Sequence, residues 1–167
     1  MEVKDCMCNE VCYSKPETTI VDVAKLMNEQ HIGFIPICDE EKKLCGIVTD
    51  RDIVLRGIAC GKDVNSTPVS EIMTTNVCIC MKNDGMDKAQ GKMSEKQIRR
   101  LPVCDENNKI IGILTLGNLI QNENLDNEDV AETLENICNG NENNKTMHRE
   151  NRDGGFFPQN GEKILRP

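Results

Sequence analysis

The tetrapeptide Thr49-Asp50-Arg51-Asp52 closes a run that reads CGIVTDRD. Sixty-six residues later Thr115-Leu116-Gly117-Asn118 closes IIGILTLGN. Thr-x-x-Asp is close to a capping box, in which hydroxyl and carboxylate satisfy free N–H groups at a helix start. A first-turn carboxylate can also accept hydrogen bonds from both hydroxyls of a vicinal diol, and an ionised acceptor bonds more strongly than a neutral one. The helix start itself favours an anionic or hydroxyl group nearby. Asn118 can still cap, but it has one acceptor oxygen and no charge. A second candidate is the adjacent pair Arg99-Arg100 in a chain of net charge −8. Two guanidiniums can hold a phosphate, or can simply be solvated surface charge.

These residues sit in equivalent places because the chain is duplicated. A shift of 66 residues places Val3 on Val69, Met7 on Met73, Met27 on Met93, Pro36 on Pro102, Gly46 on Gly112 and Thr49 on Thr115. Two copies of so long a unit predict a duplicated supersecondary structure, not a solenoid. In the first copy EVCYS reads as a short strand. Thr19 with Asp22 caps a helix carrying Ile20, Val23, Ala24 and Met27. FIPIC and LCGIV read as a hairpin around the charged DEEKK turn. TDRDIVLRGIA reads as a second helix, capped by Thr49, with Ile53, Val54 and Ile58 on one face. The order is β-α-β-β-α, and the second copy repeats it with a poorer first helix, since Gly85 and Gly91 each cost up to about 1 kcal/mol against Ala. His31 reads as a helix-end residue rather than a ligand.

Composition narrows the classes. An acidic chain repels a phosphate backbone, so nucleic acid is a poor partner. No run approaches the roughly 18 apolar residues of a membrane span. No Trp, one Tyr and three Phe leave an aliphatic, sulfur-rich core. MEVKDCMCNE is no signal peptide, so the ten cysteines are expected as reduced thiols in a cytoplasmic protein. Cys12 and Cys78, and Cys38 and Cys104, hold equivalent places in apolar runs, where free Cys acts as a small buried hydrophobe. No CxxC pair supports a zinc ribbon, and metal or redox use of the thiols remains a minor alternative.

The spaced motifs HIGFIPICD…CGIVTDRD and QIRRLPVCDENNKIIGILTLGN resemble the CBS domain, and two in tandem resemble the CBS pair, or Bateman module, over about Val3 to Asn122. The resemblance implies an α+β fold of two β-α-β-β-α units, related by a pseudo-twofold axis and packed through their sheets. It implies clefts between the units for adenosine-containing ligands such as AMP, ADP, ATP or S-adenosylmethionine, and pairing of modules into a homodimer. It places Asp52 on the ribose with help from Thr49. It brings Arg100, or Arg99, across from the other unit to the phosphate, with Lys15 as a weaker phosphate contact. Ile20, Ile32 and Ile35 would wall the adenine, or serve as ordinary core. The Asn118 cleft, with Thr115, would receive Gly33 and Phe34 instead and be the weaker one.

The expected organisation is a first CBS domain at 1–62, a linker at 63–68 and a second CBS domain at 69–122. A short helical extension at 123–140, ended by Gly140, and a disordered Asn-rich tail at 141–167 follow. Phe156-Phe157 in that tail is a candidate docking motif or a chance pair. The sequence contains no G-x-S-x-G, HExxH or Walker A pattern, so no catalysis is expected. The leading expectation is a stand-alone regulatory module. It would bind an adenine nucleotide, without a metal, and signal to an unidentified protein partner. The alternatives are a ligand-free dimeric assembly module and an S-adenosylmethionine binder.

Overall fold

The computed structural model describes residues 1–150, with side chains described through Asn139. Each copy builds a helix, a hairpin and a second helix. Helix α1 (Ile20–Gln30) starts where the Thr19 side chain accepts from the Asp22 N–H, and it buries Ile20, Val23 and Met27. It stops at His31, which adopts the left-handed conformation at φ 54°, while Ile32 N–H closes back on the Met27 carbonyl at 2.9 Å. Helix α3 (Met86–Lys96) stops the same way at Gln97. Its start lacks a side-chain cap, because Gly85 stands where Thr19 does. Strands β1 (Phe34–Cys38) and β2 (Leu44–Thr49) pair antiparallel, as do β4 (Arg100–Cys104) and β5 (Ile110–Thr115).

The predicted leading strands are shorter than expected. In the second copy only β3 (Cys80–Met81) joins, parallel to β4. In the first, Ser14 alone bridges Ile37, so EVCYS is not a strand. The reason is where the chain comes from. Residues before Ser14 leave the other unit and lie across the boundary, so only the last of them reaches the sheet.

That crossing organises the molecule. Val3 is fully buried in the core of the second copy, with Leu101, Val103, Leu114 and Met93. Val69 and Ile72 are buried in the core of the first copy, with Ile20, Ile35, Ile37 and Val48. Cys8 bridges Ile113 of β5, and Thr74 bridges Ile47 of β2. The hairpin tips meet as well. Leu44 N–H donates to the Asn108 carbonyl at 3.0 Å and Ile110 N–H to the Lys42 carbonyl at 3.1 Å, with Lys43 opposite Lys109. Each contact maps onto its twin by the 66-residue shift, so a pseudo-twofold axis runs between the hairpins.

The second helices differ from expectation. The Thr49 cap holds, and α2 (Asp50–Asp52) begins as an α-helical turn, but Ile53–Ile58 continues as a π-helix. In this wider turn residues i and i+4 fall nearly in line. Ile53 and Gly57 therefore share the buried ridge, with Gly57 against Ile20. Val54 and Ile58, expected on the core side, are 52% and 60% exposed. Gly61 at φ 68° ends the segment. In the second copy α4 (Leu116–Gln121) buries Leu116 and Leu119 and exposes Ile120, the equivalent of Val54.

Helix α5 (Asn127–Glu150) packs on α3, burying Val130, Thr133 and Ile137. It runs on past Gly140, where the sequence reading ended it, and Leu134 and Cys138 are exposed. The first part of the expected tail, to Glu150, thus lies in this helix; residues 151–167, with Phe156 and Phe157, lie outside the described residues.

The crossing segments depend on two glycines. A Cβ at Gly46 would lie 2.8 Å from Met73 Sδ and 2.9 Å from the Thr74 carbonyl oxygen; one at Gly112 would lie 2.6 Å from Met7 Sδ and 3.0 Å from the Cys8 carbonyl oxygen. The backbone oxygens cannot swing away as a side chain can. Gly46→Val and Gly112→Val are each expected to destabilise the fold by about 1–3 kcal/mol, the usual cost of overpacking, read as a lower urea midpoint. Unchanged midpoints would show that the crossing segments do not hold the units together.

Candidate functional site

A cavity of about 600 Å³ opens between the two units. One wall is first-copy chain: Glu10, Val11 and Cys12 of the crossing segment, then His31 to Phe34 after α1. The other wall is second-copy chain: Ile113 and Thr115 of β5, and Arg100 at the start of β4. The left-handed turn at His31 directs Ile32, Gly33 and Phe34 along the boundary. Phe34 and Arg100 are equivalent residues, and the guanidinium carbon lies 6.0 Å from the ring centroid. They therefore meet near the pseudo-twofold axis, in a cation–π contact worth about 0.5–1 kcal/mol at an exposed site.

The cavity gathers Ile32, Gly33, Phe34, Arg100 and Thr115 of the residues expected from sequence. Arg100, assigned by the sequence reading to the Asp52 cleft, lines the cavity on the Thr115 side. Arg99 is exposed, and its carbonyl accepts from Leu116 N–H at 2.9 Å. Lys15 is half-exposed beside Glu40 at 3.7 Å and does not line the cavity. Ile20 and Ile35 are fully buried in the first core, so neither presents surface to a ligand. Apolar residues flanking a cleft and apolar residues in the core have the same sequence pattern, so sequence alone does not separate the two.

The two Thr-x-x-(Asp/Asn) turns are complete capping boxes. Asp52 Oδ2 accepts from Thr49 N–H at 2.9 Å and from Thr49 Oγ1 at 2.8 Å. Asp52 Oδ1 lies 3.4 Å from Arg56 Nε. The Asp52 side chain is 14% exposed, and neither it nor Thr49 lines the inter-unit cavity. Asn118 Oδ1 takes the same two donors from Thr115, at 2.9 and 2.8 Å. An amide oxygen has two lone pairs, so Asn118 has only N–H donors left to offer. The substitution thus turns an acceptor site into a donor site.

Sequence reading missed Glu10, Val11 and Gln30 as cavity residues and Arg56 as the partner of Asp52. The i,i+4 spacing of Asp52 and Arg56 was the available signal. The cavity residues before Ser14 gave none, because they read as strand.

The family model for the CBS domain matches residues 3–57 and 69–124. The chain belongs to the CBS-domain family. It is 42% identical over 139 residues, 83% of this chain and 96% of the relative, to the CBS domain-containing protein YhcV of Bacillus subtilis. The CBS domain pair of protein MJ0100, solved with 5′-methylthioadenosine and S-adenosyl-L-methionine, superposes with a TM-score of 0.65 at 30% identity, covering 72% of this chain and 98% of that one. CBSX2 in complex with AMP superposes with a TM-score of 0.64 at 29% identity, covering 72% and 93%. Hypoxic Response Protein I, solved with two coordinated zinc ions, superposes with a TM-score of 0.67 at 31% identity, covering 72% and 98%. Among the described residues of this CBS pair, no group of three or more His, Cys, Asp or Glu side chains is placed to hold a metal ion. No described helix is long and apolar enough to cross a membrane.

Cys38 and Cys104 are buried, as expected, and so is Cys80; Cys12 and Cys78 are half-buried. Burial pushes the Cys38 and Cys80 thiols up to about 12, and Cys104 to about 11, from an ordinary value of 9.0. The folded state therefore keeps protons that the unfolded chain releases above about pH 9. Stability from this source is complete below that pH and falls as pH rises toward the folded values, by up to about 1.4 kcal/mol per thiol per pH unit. The urea midpoint should drop between about pH 9 and about pH 11. A Cys38→Ala/Cys104→Ala variant should show a shallower drop; an equal slope would mean these thiols do not titrate apart from the unfolded chain.

Proposed function

We propose that this CBS pair is a non-catalytic regulatory module that binds an adenosine-containing ligand between its units and passes ligand level to a protein partner. The observation carrying this reading is the inter-unit cavity with Arg100 over Phe34 at the pseudo-axis. From that position a guanidinium can serve a phosphate or carboxylate in either cleft, while Phe34, Ile32 and Ile113 offer apolar surface to a base. Asp52 supplies the ribose acceptor in its cleft, next to Thr49. The structures solved with AMP and with S-adenosyl-L-methionine support the ligand class. A ligand bridging both units favours one arrangement of them, and any partner preferring that arrangement is coupled to it, typically by about 1–3 kcal/mol.

Charge on the cavity wall bears on the ligand within that class. Arg100 favours the phosphates of AMP, ADP or ATP. Glu10 on the same cavity also suits a cationic group, which keeps S-adenosylmethionine in the comparison. Exposed Val54, Leu55 and Ile58, with Ile120 on the equivalent helix, supply apolar surface for the homodimer in which such a module would work, in the cytoplasm.

Thermal melting with AMP, ADP, ATP, S-adenosylmethionine and 5′-methylthioadenosine tests the reading. A true ligand at about 100 times its Kd should stabilise the protein by about 2.7 kcal/mol, seen as a rise of several degrees in Tm. Arg100→Ala should remove most of that shift for a phosphate ligand. Loss of the shift in Asp52→Ala as well places the ligand in the Asp52 cleft, whereas a silent Asp52→Ala places it in the Thr115 cavity. A flat series with all five compounds leaves the assembly-module reading instead.

A further inference from the structure

The Arg56 side chain does more than pair with Asp52. Its Nε lies 3.4 Å from Asp52 Oδ1. Its Nη1 donates to the Ile72 carbonyl at 3.0 Å and to Thr74 Oγ1 at 3.0 Å. Ile72 is almost fully buried in the first core, and Thr74 is locked to β2 by reciprocal backbone hydrogen bonds with Ile47, both 2.9 Å. One rigid, planar fork therefore ties the carboxylate to the segment that enters the second unit.

The second copy has no counterpart. The position equivalent to Arg56 is Asn122, whose amide reaches Met1 Sδ at 3.7 Å, and the positions equivalent to Ile72 and Thr74 are Cys6 and Cys8. The fork is present only in the copy that keeps a carboxylate.

Counting acceptor sites shows what the fork does. A carboxylate has about four lone-pair sites. Thr49 fills those on Oδ2 with two donors, whereas Arg56 meets Oδ1 as an ion pair at 3.4 Å without a hydrogen bond, which leaves the Oδ1 lone pairs for outside donors. Without Arg56 the Oδ1 edge would lose its only described partner, and a short carboxylate held at one oxygen can pivot.

We infer that Arg56 is the positioning residue for Asp52: anchored on Ile72 and Thr74, it holds the Oδ1 edge toward a ligand hydroxyl by charge attraction and makes ribose selectivity depend on the crossing segment. This rests on the proposal that the Asp52 cleft takes an adenosine ligand. Arg56 itself touches no ligand. It acts through Asp52, and the anchor belongs to the strand-crossing chain that joins the units. Selectivity for a ribose hydroxyl then reports on how the two units are set, which a cap alone would not do.

The test uses the full chain and three probes, AMP, 2′-deoxy-AMP and 3′-deoxy-AMP, with Kd measured by calorimetry. The wild type should prefer AMP over the more affected deoxy analogue by about 10-fold or more, the loss expected for one hydrogen bond to a charged acceptor. Arg56→Met should reduce that preference to below about 3-fold, with the Kd for the deoxy analogue itself nearly unchanged. Thr74→Val, which removes one anchor without touching Asp52 or Arg56, should reduce the preference partway, and melting confirms that both variants are folded. A purely structural role would weaken all three probes together and leave the ratio alone. A preference unchanged or increased in both variants overturns the inference while leaving nucleotide binding in place. Failure of the wild type to bind any of the three probes overturns the nucleotide reading of this cleft, and the inference with it.

Discussion

The exchange of leading segments between the two units is the constraint on which the rest of this structure depends. Val3 completes the second core, and Val69 and Ile72 complete the first. Burying such side chains is worth about 1.5–3 kcal/mol each, so neither unit retains its full core without chain from across the boundary. The exchange needs a backbone to pass directly over a returning strand. Gly46 and Gly112 allow it, with Met73 and Met7 sulfurs and the Thr74 and Cys8 carbonyls lying where a Cβ would stand. Methionine is suited to this work, since a flexible thioether fills an irregular gap beside a backbone.

The geometry of the inter-unit cavity is a consequence of that crossing. Because residues 8–12 run along the boundary instead of lengthening a strand, they form a cavity wall opposite Ile113 and Thr115. Because Thr74 runs along the twin boundary, it is within reach of Arg56. The hairpin tips meet at Lys43 and Lys109 and hold the two sheets in one relation, which brings the equivalent residues Phe34 and Arg100 together. A symmetric frame thus carries an asymmetric site. Glycine and phenylalanine in one copy correspond to two arginines in the other, and a carboxylate in one copy is an amide in the other. The Asn118 amide oxygen is fully used by Thr115, whereas Asp52 keeps an acceptor free. Divergence of a few side chains on a duplicated scaffold is enough to give two capping turns of opposite hydrogen-bonding sense.

The helices after each capping box show how local geometry redirects apolar surface. The π-helical turns at Ile53–Ile58 line up Ile53 with Gly57 and leave Val54, Leu55 and Ile58 outside. Helix α5 adds a second departure from symmetry, since it covers α3 and extends the second core with Val130 and Ile137. Gln90, buried on α3, meets Thr133 of that helix at 3.4 Å, so the added contact is partly polar.

The sequence by itself determined the duplication, the hairpins, the capped helices, the buried Cys38 and Cys104, and the contrast between Asp52 and Asn118. Those features are set by interactions over a few residues: alternation in a strand, spacing along a helix, a hydroxyl and a carboxylate three positions apart. Only the tertiary structure decided that EVCYS crosses instead of pairing, that Ile20 and Ile35 lie beneath the cleft, that Arg100 stands against Phe34, and that Arg56 spans Asp52 and Thr74. Each of these joins residues whose proximity depends on how two whole cores pack, and local periodicity has no information about which of two equivalent units a segment will complete.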